Sequence, residues 1–157
     1  TPSASGNAPV NLGVISCSNW QFGYFNAYRA LAQEPNLDVI VHLGDYFYEY
    51  GIDGYGGEVA KKIGRPHAPT TEVISLSDYR ERHAQYKTDP DLQAAHAAAA
   101  WICTWDDHES ANDAYRTGAQ NHNPEKGEGE WTTRKQIALQ AYFEWMPIRE
   151  PEAGNIT

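Results

Sequence analysis

The sequence has few cysteines, few basic side chains and no long apolar run. Its 157 residues include only two cysteines, Cys17 and Cys103, which cannot form a disulfide framework and leave the redox compartment open. No apolar stretch is long enough to span a bilayer. Twelve basic residues stand against 21 acidic ones, a formal net charge of -9, which argues against binding to a nucleic-acid backbone or an anionic membrane.

The acidic balance also limits how an anionic substrate could be attracted. Bound cations, rather than lysine and arginine, are the obvious candidates for that task. The chain is 41% hydrophobic, and its five tryptophans and ten tyrosines supply bulky core material. This length and composition predict one ordinary core and one domain.

Both ends of the chain are predicted to be irregular. Residues 1–9 are small and polar and lack the charged and apolar regions of a signal peptide, so we interpret them as a linker or as the remainder of a cut. Residues 150–157 resemble a loop soon after a helix. The domain is therefore predicted to cover residues 10–157.

Short apolar runs alternate with helical patterns along the chain. Strands are predicted at residues 10–16, 38–43 and 101–105, and helices at residues 23–33, 77–87, 90–100 and 131–146. Strand–helix–strand units favour parallel strands, so the predicted class is α/β with a mostly parallel or mixed sheet and flanking helices. The run 38–43 is almost entirely apolar, which is typical of a strand covered on both faces.

Two stretches lack this periodicity and are predicted to be loops. Residues 51–69 are rich in glycine and proline, and residues 115–129 are polar, so His122 is expected to be solvated. His83 and His96 lie on predicted helices, where polar packing is a more ordinary role than metal binding.

Metal-binding residue types follow each predicted strand. Cys17 follows the first, Asp45 and Tyr48 follow the second, and the sequence Asp-Asp-His-Glu at 106–109 follows the third. Because the carboxyl ends of parallel strands meet at one sheet edge, we expect these side chains to lie close together. Each signal alone has an ordinary structural explanation, a buried cysteine or a capping turn.

Together, these residue types predict a metal centre. A hard, highly charged ion such as ferric iron can keep a phenolate or thiolate ligand ionised at neutral pH. If Asp45 bridges two cations, it fixes their separation. Two such cations can clamp a phosphate ester and acidify a bound water.

Residues 44–48 read GDYFY, the GDxxY form of the iron-binding signature of purple-acid-type metallophosphatases. With residues 16–18, 42–50, 78–86 and 104–109, this segment resembles the PhoD-type alkaline phosphatases over about residues 10–149. The resemblance implies part of an αββα sandwich, an iron and calcium centre (Fe³⁺ and Ca²⁺), and a secreted or periplasmic enzyme. It also implies hydrolysis of phosphate monoesters and diesters, and some members carry the name phospholipase D.

The resemblance assigns roles by position. Cys17 and Tyr48 correspond to iron ligands, Asp45 to the bridging ligand, and Asp107 to a ligand of the second metal. His108 corresponds to a histidine that contacts the phosphate or protonates the leaving group.

Asn112 is expected to assist in substrate binding, and the substrate is expected to be a small phosphate ester or a phospholipid.

One departure from the family pattern concerns further ligands. The pattern needs later VxxH and GHxH segments, and none follows residue 149. We therefore expect the chain to be the N-terminal half of a catalytic domain, inactive without the remainder of that domain. Three functions stay open: a PhoD-type phosphatase, a phospholipase D-like phosphodiesterase with the same site, and a noncatalytic metal-binding remnant.

Overall fold

The computed structural model describes residues 9–149, which form a three-stranded parallel sheet and five α-helices. The strands are β1 (Leu12–Ile15), β2 (Val39–His42) and β3 (Ala100–Cys103), in the sheet order β1-β2-β3. The helices are α1 (Asn26–Ala32), α2 (Gly57–Ile63), α3 (Leu76–Lys87), α4 (Pro90–Ala98) and α5 (Trp131–Trp145). The predicted α/β class and all three strands are confirmed. Most of the predicted linker 1–9, and residues 150–157, lie outside the described residues.

Local sequence explains where the helices begin. At the start of α3, Ser75 and Asp78 form a capping box, in which each side chain accepts a hydrogen bond from the other's backbone N–H. Asp89 caps α4 by accepting from the backbone N–H groups of Asp91 and Leu92, and Pro90 occupies the first turn. None of the helices in residues 9–149 combines the length and apolarity needed to cross a bilayer.

The core lies between the helices and one face of the sheet. This face carries Gly13, Ile40 and Trp101, which are neighbours in the strand register. A methyl group on Gly13 would lie 2.7 Å from Leu31 Cδ2, so this glycine lets the helical layer approach β1 closely. The remainder of the core is unusually aromatic and includes Phe25, Tyr28, Tyr46, Phe47, Tyr79, Tyr86 and Tyr142.

The opposite face of the sheet is open, contrary to the prediction that the strand at 38–43 is covered on both faces. On this face Leu12 is 56% exposed, Val14 58% and Ile102 61%, and Leu43 after β2 is 50% exposed. The prediction was wrong for the described residues because their helices pack on the face that contains Ile40 and Trp101.

The glycine-rich stretch 51–69 is not a continuous loop, because it contains α2. Glycines with positive φ flank this helix: Gly56 at +94° and Gly64 at +68°. The helix has only seven residues, too few to show a clear apolar period in the sequence. Arg65, which follows it, is held over the Trp20 ring at 3.5 Å and pairs with Asp89 at 2.6 Å. Tertiary contacts therefore order this segment.

The histidines outside the site are mostly internal. His83 is fully buried and His96 stacks on Trp101 at 3.9 Å, so both have the predicted packing role. The prediction that His122 is solvated was wrong. Its side chain is 3% exposed, and its ring lies 5.2 Å from the Trp131 ring because the 115–129 segment folds back onto α5.

Replacing Gly44 by alanine should disrupt the fold. Gly44 has φ +109°, and a Cβ there would lie 2.5 Å from the backbone nitrogen of Asp106. Because backbone must move, we expect Gly44→Ala to lower the free energy of unfolding by about 3 kcal/mol or more. Gly127→Ala is the matched control, since Gly127 has φ +86° with no atom within 4 Å of the added methyl. Its cost should be only the backbone strain, about 1 kcal/mol. Denaturant unfolding measures both values, and equal losses would contradict the steric argument.

Candidate metal centre

The predicted site is built where the three strands end. Beyond β1 and β2 the pairing continues, because Cys17 N donates to the carbonyl of Gly44 at 3.1 Å and Ser18 N donates to that of Asp45 at 2.9 Å. Beyond β3, Thr104 N donates to the carbonyl of His42 at 3.0 Å. These bonds bring the residues after all three strands to one edge of the sheet, as predicted from the sequence.

The backbone is strained at two of the predicted ligands. Cys17 has φ +60° and Asp45 has φ +53°, the left-handed region that non-glycine residues rarely occupy. Such conformations persist where surrounding contacts impose them, and they cluster at functional sites. In both residues the chain leaves its strand in a sharp turn that aims the side chain at the sheet edge.

Three predicted ligands meet at the carboxylate of Asp45. Its Oδ2 lies 3.5 Å from Cys17 Sγ and accepts a 3.2 Å hydrogen bond from the hydroxyl of Tyr48. Its Oδ1 is buried and has no hydrogen-bond partner. An unpaired buried carboxylate oxygen is costly, and a cation would satisfy it.

Two further predicted residues complete the cluster. Asp45, Asp107 and His108 each offer one ligand atom, and these three atoms lie within 4.8 Å of one another. A thiol, a phenol, two carboxylates and an imidazole therefore surround one small volume. The donor set and the unpartnered Oδ1 of Asp45 fit bound metal ions.

Burial makes negative charge unfavourable at this site. Burial raises the pKa of Asp45. The charge of His108 lowers this pKa, and the charges of Asp107 and Asp106 raise it further. Burial and the charge of Asp45 likewise raise the pKa of the Tyr48 phenol. A bound cation favours the ionised form of both groups and so acts against these shifts.

Sequence reasoning missed the contact between Glu49 and His108. The side chain of Glu49 is completely buried, and its Oε2 lies 2.7 Å from Nδ1 of His108. Burial lowers the pKa of His108, but the hydrogen bond and charge of Glu49 contribute to a net rise. The only sign of this contact in the sequence was that Glu49 is the one acidic residue within the aromatic run 46–50.

Sequence reasoning also left Glu109 without a role. This buried carboxylate accepts hydrogen bonds from the backbone N–H groups of Asp45 (3.1 Å), Tyr46 (2.6 Å) and Asp106 (2.8 Å). It therefore joins the loop after β2 to the loop after β3. Burial raises the pKa of Glu109 to about 7, while the three N–H donors favour its carboxylate form.

Asn112 is placed differently from the other predicted site residues. Its side-chain amide bonds to Asp113 at 3.3 Å and to Gln120, and its backbone N–H donates to Glu49 at 2.6 Å. Its amide is thus engaged away from the Asp45 carboxylate, and its role in substrate binding stays a prediction.

Grooves flank the cluster on two sides. One, of about 440 Å³, contains Cys17 and Tyr48 together with the aromatic side chains of Phe22 and Tyr55. The other, of about 390 Å³, contains Asp107 and residues of α5. A substrate can therefore approach the ligand atoms from solvent.

The fold and the site define the class as an α/β protein that has candidate metal ligands at the carboxyl ends of parallel strands. A sequence model of the PhoD-like phosphatase family matches residues 12–156, and the chain belongs to this family, which confirms the resemblance described above.

Comparison with two relatives agrees with this assignment. Alkaline phosphatase D of Bacillus subtilis (strain 168) is 43% identical over an alignment of 157 positions, which covers 98% of this chain and 25% of that protein. A solved structure titled "Structure of PhoD" matches with a TM-score of 0.79 and 41% identity, over 94% of this chain and 27% of the other. The chain thus spans about a quarter of the length of these relatives.

Glu109→Gln tests the link between the two loops. Glutamine has one acceptor oxygen for three backbone donors, and its NH₂ group would face at least one of them. At a pH above the pKa of Glu109, we expect the free energy of unfolding to fall by about 2–4 kcal/mol, because hydrogen bonds to a charged acceptor are lost in the interior. Glu130→Gln is the control, since Glu130 is exposed and its side chain makes no capping bond. Denaturant unfolding of the two variants should differ clearly, and similar stabilities would refute the link.

Proposed function

We propose that the protein containing this chain is a metal-dependent phosphoric ester hydrolase of the alkaline phosphatase D type, acting on phosphate monoesters and diesters. The observation that carries the proposal is the convergence of Cys17, Tyr48 and Asp107 around Asp45, whose buried Oδ1 has no partner. Membership of the PhoD-like family supports the phosphatase chemistry.

The residues divide by the metal that suits them. Thiolate and phenolate ligands suit ferric iron, so Cys17 and Tyr48 are proposed to hold Fe³⁺. Carboxylate oxygens suit calcium, so Asp107 is proposed to hold Ca²⁺, with Asp45 bridging the two ions. Bound there, the two cations would supply positive charge to hold a phosphate and to lower the pKa of a bound water.

The protein's own contribution centres on His108. Glu49 occupies its Nδ1, which leaves Nε2 as the nitrogen available to a substrate. We propose that this nitrogen contacts the phosphate or protonates the leaving oxygen, with Asn112 assisting in binding. The formal net charge of -9 supports attraction of the ester by bound cations rather than by a basic surface.

The remainder of the catalytic domain is proposed as the partner of this chain. The relatives are about four times as long, residues 1–157 contain no GHxH segment, and their one VxxH match, Val39 to His42, lies in β2 ahead of the GDxxY segment. The open sheet face with Leu12, Val14 and Ile102 gives that remainder an apolar surface to cover. Residues 1–157 alone are therefore proposed to be inactive. The likeness to alkaline phosphatase D supports a secreted or periplasmic location.

Two alternatives remain. The first is a phospholipase D-like phosphodiesterase, which the aromatic groove at Phe22, Tyr24 and Tyr55 favours because it suits an apolar substituent. The second is a noncatalytic metal-binding remnant. A GHxH segment in the remainder of the protein would exclude this noncatalytic alternative.

Removing the proposed iron ligands should remove iron and activity together. In the full-length protein we expect Cys17→Ala and Tyr48→Phe to lower bound iron and to reduce kcat for a phosphate ester by about 100-fold or more. Elemental analysis and steady-state kinetics measure the two effects.

Each variant has a matched control in the same chain. Cys103→Ala replaces a cysteine on β3, and Tyr55→Phe alters an exposed phenol. Both should keep their iron. Unchanged metal content and activity in Cys17→Ala and Tyr48→Phe would show that neither residue is an iron ligand.

The rates on three classes of phosphate ester distinguish the proposed phosphatase from the phospholipase D-like phosphodiesterase. With the full-length enzyme we expect turnover of a phosphate monoester and of a diester, and little turnover of a phospholipid in mixed micelles. The proposed metal ions would engage the phosphate and not its substituents, so the measured rates are what separates the two functions. A preference for the phospholipid, lost on Phe22→Ala, would establish the phospholipase instead.

A further inference from the structure

Apart from its contact with His108 Nδ1, the buried acid Glu49 has no part in the proposed chemistry. It is fully buried in the segment between Tyr48 and Tyr50. Both of its oxygens are used. Oε2 lies 2.7 Å from His108 Nδ1, while Oε1 accepts from the backbone N–H of Asn112 at 2.6 Å and from Asn121 Nδ2 at 2.7 Å. The carboxylate is therefore held from three directions.

The His108 ring is held on its other sides by aromatic rings. The Tyr48 ring centroid lies 4.2 Å away and that of Tyr50 lies 5.5 Å away. These contacts restrict the plane of the imidazole, and the bond to Glu49 selects one of its two edges. With Nδ1 occupied as a donor, Nε2 is the nitrogen left for the cluster with Asp45 and Asp107.

Only a carboxylate satisfies all three donors at this position. It offers lone pairs on both oxygens, whereas glutamine offers one oxygen and one NH₂ group. If the glutamine oxygen faced His108, its NH₂ would oppose the donors of Asn112 and Asn121. If it faced those donors, its NH₂ would meet Nδ1 and favour the other imidazole tautomer, the effect that an amide replacement has in serine protease triads.

We propose that Glu49 is a positioning residue that fixes the orientation and tautomer of His108, so that Nε2 faces the phosphate ester. This role rests on the proposed phosphoesterase function. Glu49 touches neither the substrate nor the proposed ions, and it acts through His108 alone.

Kinetics of the full-length, metal-loaded enzyme test the proposal. Glu49→Gln should lower kcat by about 100-fold and change KM by less than about threefold, because a misdirected His108 affects the chemical step more than binding. Glu72→Gln is the matched control. Glu72 accepts from the same Asn121 amide at 3.2 Å but makes no hydrogen bond to His108. It should keep the kcat of the wild type.

A double-mutant cycle separates positioning from general stability. If Glu49 acts through His108, Glu49→Gln added to His108→Ala should cause no further loss of kcat. Glu49→Asp provides a second variant should glutamine impair folding. Its carboxylate is one methylene shorter and cannot reach Nδ1 while held by Asn112 and Asn121, so kcat should fall as it does for Glu49→Gln.

The outcomes distinguish the role of Glu49 from the proposed function. Wild-type kcat in the Glu49 variants, or losses that multiply with that of His108→Ala, would overturn the positioning role. A loss of bound metal in Glu49→Gln would also overturn it, because Glu49 would then affect metal binding and would not act through His108 alone. A full-length wild type that hydrolyses no phosphate ester would overturn the proposed function, and the role of Glu49 with it.

Discussion

One buried carboxylate holds the two central loops of the site together. Glu109 accepts backbone hydrogen bonds from the loop after β2 and from the loop after β3. These N–H groups donate to the Glu109 side chain rather than to a backbone carbonyl of the sheet. The bonds set Asp45 against Asp107 and His108, so the distances among the candidate ligands depend on Glu109.

A chain of buried hydrogen bonds leads from His108 to α5. From His108 it passes through Glu49 and Asn121 to Glu72, and from there to Arg134 on α5. Arg134 is fully buried and also pairs with Glu128. Buried charges of this kind stabilise only when each is paired, and Arg134 is paired with both Glu72 and Glu128. The pair with Glu128 explains why the segment 115–129 folds back onto α5.

The open sheet face is the surface that we propose the remainder of the catalytic domain covers. The helices among residues 9–149 cover one side of β1–β3, and the other side presents exposed aliphatic side chains. A parallel sheet is normally buried on both faces. The relatives, about four times as long, have chain enough to cover this face, and the proposed remainder of the metal site would come with it.

The sequence by itself determined the order of the three strands and of α1, α3, α4 and α5, and the residue types at the strand ends. Apolar runs and helical periods are local signals, and a parallel connection brings Cys17, Asp45 and Asp107 to one edge whatever the side chains do there. The tertiary structure alone decided the rest. Glu49 and Glu109 have partners far away in the chain, and α2 and His122 are ordered by packing. Such long-range contacts leave no local pattern.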